Sequence, residues 1–177
     1  RNLGEVKTLA VEKLEELTRR KVKIGDAEMD IVRGLSIRLE DVSVRSPRAE
    51  EPELTARSVW VVVQLLPLLE KRIEVKKIIV QGASLRVVRD AKGNFSVGDV
   101  KKWITQPAES NLFKVLTASL MNQLMVEDGA IHFLDYYNRP PEDPIPLDLK
   151  HIHFSVRKNL LDSPFQFTLK GEIPNGG

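Results

Sequence analysis

The sequence predicts an α+β fold, mainly β, in which an N-terminal amphipathic helix leads into a curled, mostly antiparallel sheet, an open trough or partial barrel. Apolar residues recur at helical spacing in two stretches only, residues 2–18 and 110–123. Elsewhere alternation of period two dominates, the mark of strands with one apolar face. Roughly eight to ten strand-like runs therefore stand against two substantial helices.

In the first helix Leu3, Val6, Ala10, Leu14 and Leu17 form one stripe, and Glu15 with Arg19 and Glu16 with Arg20 are favourable i, i+4 pairs. Arg19-Arg20-Lys21 closes it, where cations suit the helix dipole. Val22 and Ile24 then alternate with Lys21 and Lys23, Met29 and Ile31 with Glu28 and Asp30, and Leu35, Ile37 and Leu39 with Ser36, Arg38 and Glu40. The pattern resumes at Val42 and Val44, so Glu40-Asp41 shifts the phase by one residue, as a β-bulge does. A Pro- and Glu-rich loop, Ser46 to Pro52, leads to Leu54–Val63, where Val59, Val61 and Val63 share one face and Trp60 and Val62 the other. A strand apolar on both sides predicts cover on both.

Leu65 to Leu69 is a short apolar turn around Pro67. Strands Ile73–Val80 and Leu85–Arg89 follow, split by Gly82 and ended by an Asp90-to-Asn94 turn. Residues 99–104 predict a helical turn with Asp99 as N-cap. Ser110 to Gln123 predicts the second helix, with Leu112, Phe113, Leu116 and Leu120 on one face. Three strands remain, Leu124–Asp135, Leu147–Val156 and Phe165–Ile173; their connections hold Pro140, Pro141, Pro144, Pro146 and Pro164. The segment from Val80 to Asp90 is echoed from Val126 to Asp135, with Gly82 matched to Gly129 and one residue gained or lost between them. The organisation is one domain over 1–177: helix 1–20, first sheet unit 21–97, helical insert 98–123 and second sheet unit 124–174.

The 177 residues are enough for one sizeable core. With 27 basic and 25 acidic side chains intermixed, the chain lacks the clustered basic stripe of a nucleic-acid binder. The absence of cysteine excludes disulfides and thiolate metal sites. No apolar run approaches the roughly 20 residues of a membrane span, and no signal peptide is present. Both ends read as cuts within a longer chain.

A helix is about 10–12 Å wide and strands lie about 4.8 Å apart, so two helices cover about four strands. The rest of the apolar face can be closed as a barrel or sandwich with an ordinary core. It can also form an open trough that holds an apolar ligand or partner.

Catalytic and metal sites find no footing. His151 and His153 share an i, i+2 face, but Ile152 and Phe154 claim the apolar side and turn both histidines to solvent; His132 sits likewise between Ile131 and Phe133. Asp90 and Asp135 stand where strands enter turns, a structural role. Trp60 and Trp103 suit packing. No phosphate loop, nucleophile elbow or ligand cluster occurs, so no catalytic residue, metal or cofactor is expected.

In order along residues 21–95 stand Arg20-Lys21-Val22-Lys23-Ile24-Gly25, Gly34 to Val42, Thr55-Ala56-Arg57-Ser58-Val59, Leu66-Pro67-Leu68-Leu69, Arg72-Ile73-Glu74-Val75, Gly82 to Asp90 and Gly93-Asn94-Phe95. This succession resembles the N-terminal region of the AsmA family of bacterial envelope proteins, related to chorein-type bridge-like lipid-transfer proteins. Residues 96–177 match more loosely, mainly through the Gly129–Asp135 echo. The resemblance implies a periplasmic body held in the inner membrane by an N-terminal transmembrane helix that would precede Arg1. It implies no catalytic motif, and an apolar trough that carries phospholipid between inner and outer membrane. On that reading the lane residues are Ile37, Leu39, Val42, Val44, Val59, Val61, Ile73, Val75, Leu85, Val87, Ile131, Phe133, Ile152, Phe154, Phe167 and Leu169, provided the alternating apolar face is concave. Some of these must pack under the helices. The other reading is an interaction scaffold with a closed core, in which sheet edges or the Pro-rich loop 138–146 bind an envelope-assembly protein.

Overall fold

Where the alternation changes from helical to period two, the backbone changes with it. In the computed structural model of the protein, residues 3–70, 74–97, 123–158 and 165–173 are described. Helix α1 (Leu3–Thr18) ends at Arg19, whose left-handed φ of 54° turns the chain out of the helix. Strands β1 (Lys21–Lys23), β2 (Asp26–Asp30), β3 (Ser36–Arg45) and β4 (Leu54–Val63) follow, then helix α2 (Leu65–Leu69). Strands β5 (Val75–Gln81) and β6 (Ser84–Arg89) come next, then β7 (Gln123–Asp135), β8 (Ile145–Lys158) and β9 (Phe165–Glu172). The expected second helix, the 99–104 turn, Trp103 and Ile73 lie outside the described residues. Gln123, expected to close that helix, instead begins β7, opposite Lys77 and Arg157.

The nine strands among the described residues belong to one curled sheet, ordered β1-β3-β4-β5-β7-β8-β9, with β2 beside β3 and β6 bridging β4 and β7. Among the described residues the sheet does not close into a barrel. Pairing is antiparallel except where β5 and β6 meet β7 in parallel. There the sequence echo becomes spatial: Gln81 faces Glu127, Ser84 faces Ala130 and Arg89 faces Asp135 at one constant offset. The echo therefore aligns without the gained or lost residue that matching Gly82 to Gly129 suggested. Gly82 corresponds to Asp128, and both are left-handed, with φ of 62° and 53°.

These two residues belong to a crease across the sheet. Asp41 in β3 (φ 51°) lies between the Glu40–Ser58 and Val42–Ala56 pairs, beside Arg57. The Arg57 N–H donates to the Gly82 carbonyl at 3.4 Å, and the Gly82 N–H to that of Glu127 at 3.0 Å. Asp128 in β7 meets His151 in β8 (φ 51°), with 3.4 Å between Oδ1 and Nδ1. A left-handed residue within a strand breaks the alternation of its side chains. This is the phase shift that the sequence predicted at Glu40-Asp41, here repeated in β7 and β8 and at the junction of β5 and β6. Aspartate and glycine are residue types that adopt this conformation at low cost.

The crease keeps apolar residues on one side of the sheet. Leu39 and Val59 on one flank of it, and Val42, Val44, Leu54 and Ala56 on the other, join one cluster with Val22, Ile24 and Ala27. Helix α1 lays Ala10 and Leu14 of its predicted stripe on that cluster, with Val11 beside them. A second cluster surrounds Val156, 1% exposed, and consists of Val75, Ile78, Leu124 and Phe154. Among the described residues it is built of sheet residues alone.

Candidate functional site

The register places the described lane residues on this apolar side. Ile37 pairs with Val61 and Leu39 with Val59. Val75 pairs with Val63, next in alternation to Val61. Leu54, in the α1-covered cluster, pairs with Leu85; Leu85 pairs with Ile131 and Val87 with Phe133. Ile152 stands opposite Gly129, and Phe154 opposite Val126. Phe167 and Leu169 are the register partners of Val156 and Phe154. The residues of β3 to β8 form one band.

Their exposure divides the band. Leu39, Val42 and Val44 are buried in the cluster that α1 covers, and Val87 and Ile152 are buried as well. Ile37, Val59, Val61, Val75, Leu85, Ile131, Phe133 and Phe154 are half-buried. The first group belongs to the core; the second leaves surface that an apolar ligand can contact. Phe95, from the loop after β6, stacks on Phe133 with ring centroids 6.2 Å apart.

Sequence reasoning passed over Ile78, Val80, Leu124, Val126 and Val156, which lie in the same band. Simple alternation from Ile73 and Val75 leads to Lys77 and Ile79. A register shift at Val62/Val63 instead brings Ile78 opposite Val61 and Val80 opposite Val59. The adjacent Lys76-Lys77 pair is the visible sign, since strict alternation would turn one lysine into the apolar face.

The opposite side is polar around a small apolar patch of Trp60, Val62 and Ile79 with Met125 against it. The guanidinium of Arg33 lies 4.8 Å from the Trp60 ring centroid and that of Arg38 5.9 Å, so β4 has the cover on its second face that its sequence predicted. A cleft of about 570 Å³ opens here, lined in part by Arg57, Gln81, Glu127, His153, Ser155 and Lys170. Gln81 Nε2 donates to the Glu127 carboxylate at 2.7 Å and Arg33 Nη1 at 3.3 Å. These contacts, the Gln81 bond foremost, hold the Glu127 carboxyl below its ordinary range against the opposing effect of burial.

A depressed folded-state pKa means stabilisation that is present above the ordinary glutamate pKa and lost as pH falls through the depressed value. Glu127→Gln is therefore expected to lower the urea midpoint at neutral pH. Its deficit relative to the parent should shrink as the pH is taken below the ordinary carboxylate range. Urea titrations at several pH values check this; a deficit that stays constant with pH contradicts it.

The remaining polar candidates have structural partners. Asp90 Oδ1 accepts the backbone N–H groups of Lys92 and Asn94, both at 2.9 Å, and its carboxyl is held below the usual range mainly by the Asn94 bond. Asp135 accepts the Tyr137 N–H at 2.9 Å and faces Arg89 at 3.4 Å. His132 Nδ1 lies 2.9 Å from Asp148 Oδ1, and His151 and His153 are exposed. Among the described residues no group of three potential metal-binding side chains forms, and no helix is long and apolar enough to cross a membrane.

Two comparisons with known proteins bear on this arrangement. The model of the AsmA family matches residues 2–158. No curated protein matches the chain.

Proposed function

Since the chain belongs to the AsmA family, whose membership suggests an envelope-related function, we propose that it is a non-catalytic module whose apolar lane binds or conducts phospholipid acyl chains. One observation supports this reading above others: the crease keeps the apolar residues of β3 to β8 on one side of a sheet that, among the described residues, does not close. An ordinary bulge in one strand would move that strand's apolar residues to the other side. The repeated shift, at Asp41, Gly82, Asp128 and His151, keeps neighbouring strands in step.

The physical basis is transfer of hydrocarbon from water. An acyl chain gains about 0.8 kcal/mol for each buried methylene. A lane without polar interruption lets the chain shift along it at nearly constant free energy, while the headgroup stays at the wet margin. The half-buried residues Val61, Val75, Phe133 and Phe154 are the proposed contacts. In this reading the body stands in the periplasm between inner and outer membrane, tethered to the inner membrane by a helix preceding residue 1.

Native mass spectrometry and solvent extraction of the purified protein are expected to recover phospholipid. A photo-crosslinking residue at Phe133 or Phe154 is expected to label acyl chains, and Phe133→Asp, with the fold intact by circular dichroism, should lower the lipid recovered several-fold. Absence of lipid together with unlabelled acyl chains overturns the reading. A stable protein partner recovered instead favours the scaffold alternative.

A further inference from the structure

The sheet carries a second apolar feature, at one end rather than on a face. The turn between β2 and β3 presents Ile31 and Val32 at 80% and 87% exposure, with Met29 at 61% beside it. Helix α2 presents Leu65, Leu66 and Leu69 at 62%, 77% and 82%. The two segments are neighbours. The Val63 N–H donates to the Leu35 carbonyl at 3.0 Å, and a Cβ added at Gly34 would lie 3.3 Å from Val62 Cγ1. β4 thus delivers α2 beside the 31–34 turn, and both tips project from one end of the sheet.

We propose that this rim docks onto the surface of a phospholipid bilayer, with Leu65, Leu66 and Leu69 of α2 and the Ile31–Val32 tip entering the acyl boundary. The chemistry of the tips favours lipid over a protein partner. Apart from Met29 these exposed side chains are all aliphatic, whereas the centres of protein interfaces are enriched in aromatic residues, methionine and arginine. Helix α2 has no polar side chain, and its central residue is proline, which has no N–H to leave unpaired in hydrocarbon.

Several backbone donors at the tips are already satisfied within the chain, which entry into an apolar medium requires. Val32 N–H donates to Asp30 Oδ1 at 2.7 Å and Gly34 N–H to the Ile31 carbonyl at 3.2 Å. Gln64 N–H donates to the Glu74 carbonyl at 2.9 Å and Glu70 N–H to that of Pro67 at 3.1 Å.

The rim is also continuous with the lane. Met29 is the register partner of Ile37, and Val63, the last residue of β4, pairs with Val75. An acyl chain leaving a bilayer at the rim enters the lane without crossing polar surface. This pathway rests on the lane reading of the proposed function; docking of the rim does not.

Flotation of the protein with phosphatidylcholine vesicles, with and without phosphatidylglycerol, tests the docking. Binding is expected on both compositions and should persist at high salt, since the contact is apolar and the net charge is only +2. The double variant Leu66→Asp, Leu69→Asp is expected to lower the partition coefficient about tenfold or more. Both side chains are exposed, so its thermal midpoint should match the parent's. Leu9→Asp alters an exposed apolar residue of α1 that belongs to neither the rim nor the lane, and should leave flotation unchanged.

Equal flotation of parent and rim variant overturns the proposal, as does binding abolished by salt. So does a parent that ignores vesicles but forms a dimer that the rim variant dissolves in sedimentation; the rim would then join two copies of this chain. Lipid recovered from the purified protein is read separately. A chain that docks through the rim but carries no lipid removes the lane reading and leaves the rim. A chain that carries lipid but ignores vesicles does the reverse.

Discussion

Leu39→Ala is expected to destabilise the protein by about 3 kcal/mol, within the range of roughly 2–5 kcal/mol for emptying a buried leucine site. Leu39 is 3% exposed and stands in register between Ala27 and Val59, in the cluster on which α1 lays Ala10, Val11 and Leu14. Strands flank it on both sides and a helix lies above, so little can collapse into the space. Urea denaturation should show a lower midpoint with an unchanged slope. Leu66→Ala, at an exposed leucine of α2, should change stability by no more than about 0.5 kcal/mol. Equal effects of the two substitutions would contradict the placement of α1 over this cluster.

Gly82→Val is expected to cost about 2–4 kcal/mol, from left-handed strain at a β-branched residue and a close contact. Gly82 has φ of 62°, and a Cβ there would lie 3.1 Å from the Arg57 Cβ. Gly82→Asn should cost markedly less, because asparagine tolerates this conformation and Asp128 already holds the matching position of the echo. The Gly82 N–H to the Glu127 carbonyl remains available in both variants. Urea midpoints rank the three proteins; limited proteolysis should find the β5–β6 junction cut faster in the valine variant only. Indistinguishable valine and asparagine variants would show that the backbone at Gly82 is not held left-handed.

Much of this was legible in the chain itself, for a local reason. The first helix and its stripe, the strands and the phase shift at Glu40-Asp41 are each encoded in a few neighbouring residues. Steric preference and solvent contrast act at that range. The apolar face of most strands was legible on the same grounds, since alternation assigns side chains to faces strand by strand. Ile78 and Val80 escaped because one shift at Val62/Val63 changes the phase, and Lys76-Lys77 hints at it without locating it.

By itself the sequence determined the mainly β fold with its N-terminal helix, the lack of cysteine chemistry, and which residues are apolar in each strand. Tertiary structure alone decided that β5 and β6 run parallel to β7, that the echo needs no gap, and that the left-handed positions align into one crease. Register is a relation between residues far apart in the chain, and a one-residue slip turns every side chain of a strand to the other face. Alternation within a strand cannot say which face of its neighbour it matches. Backbone pairing across the crease, from Asp41 through Gly82 and Asp128 to His151, sets that match and gathers the apolar residues into one band.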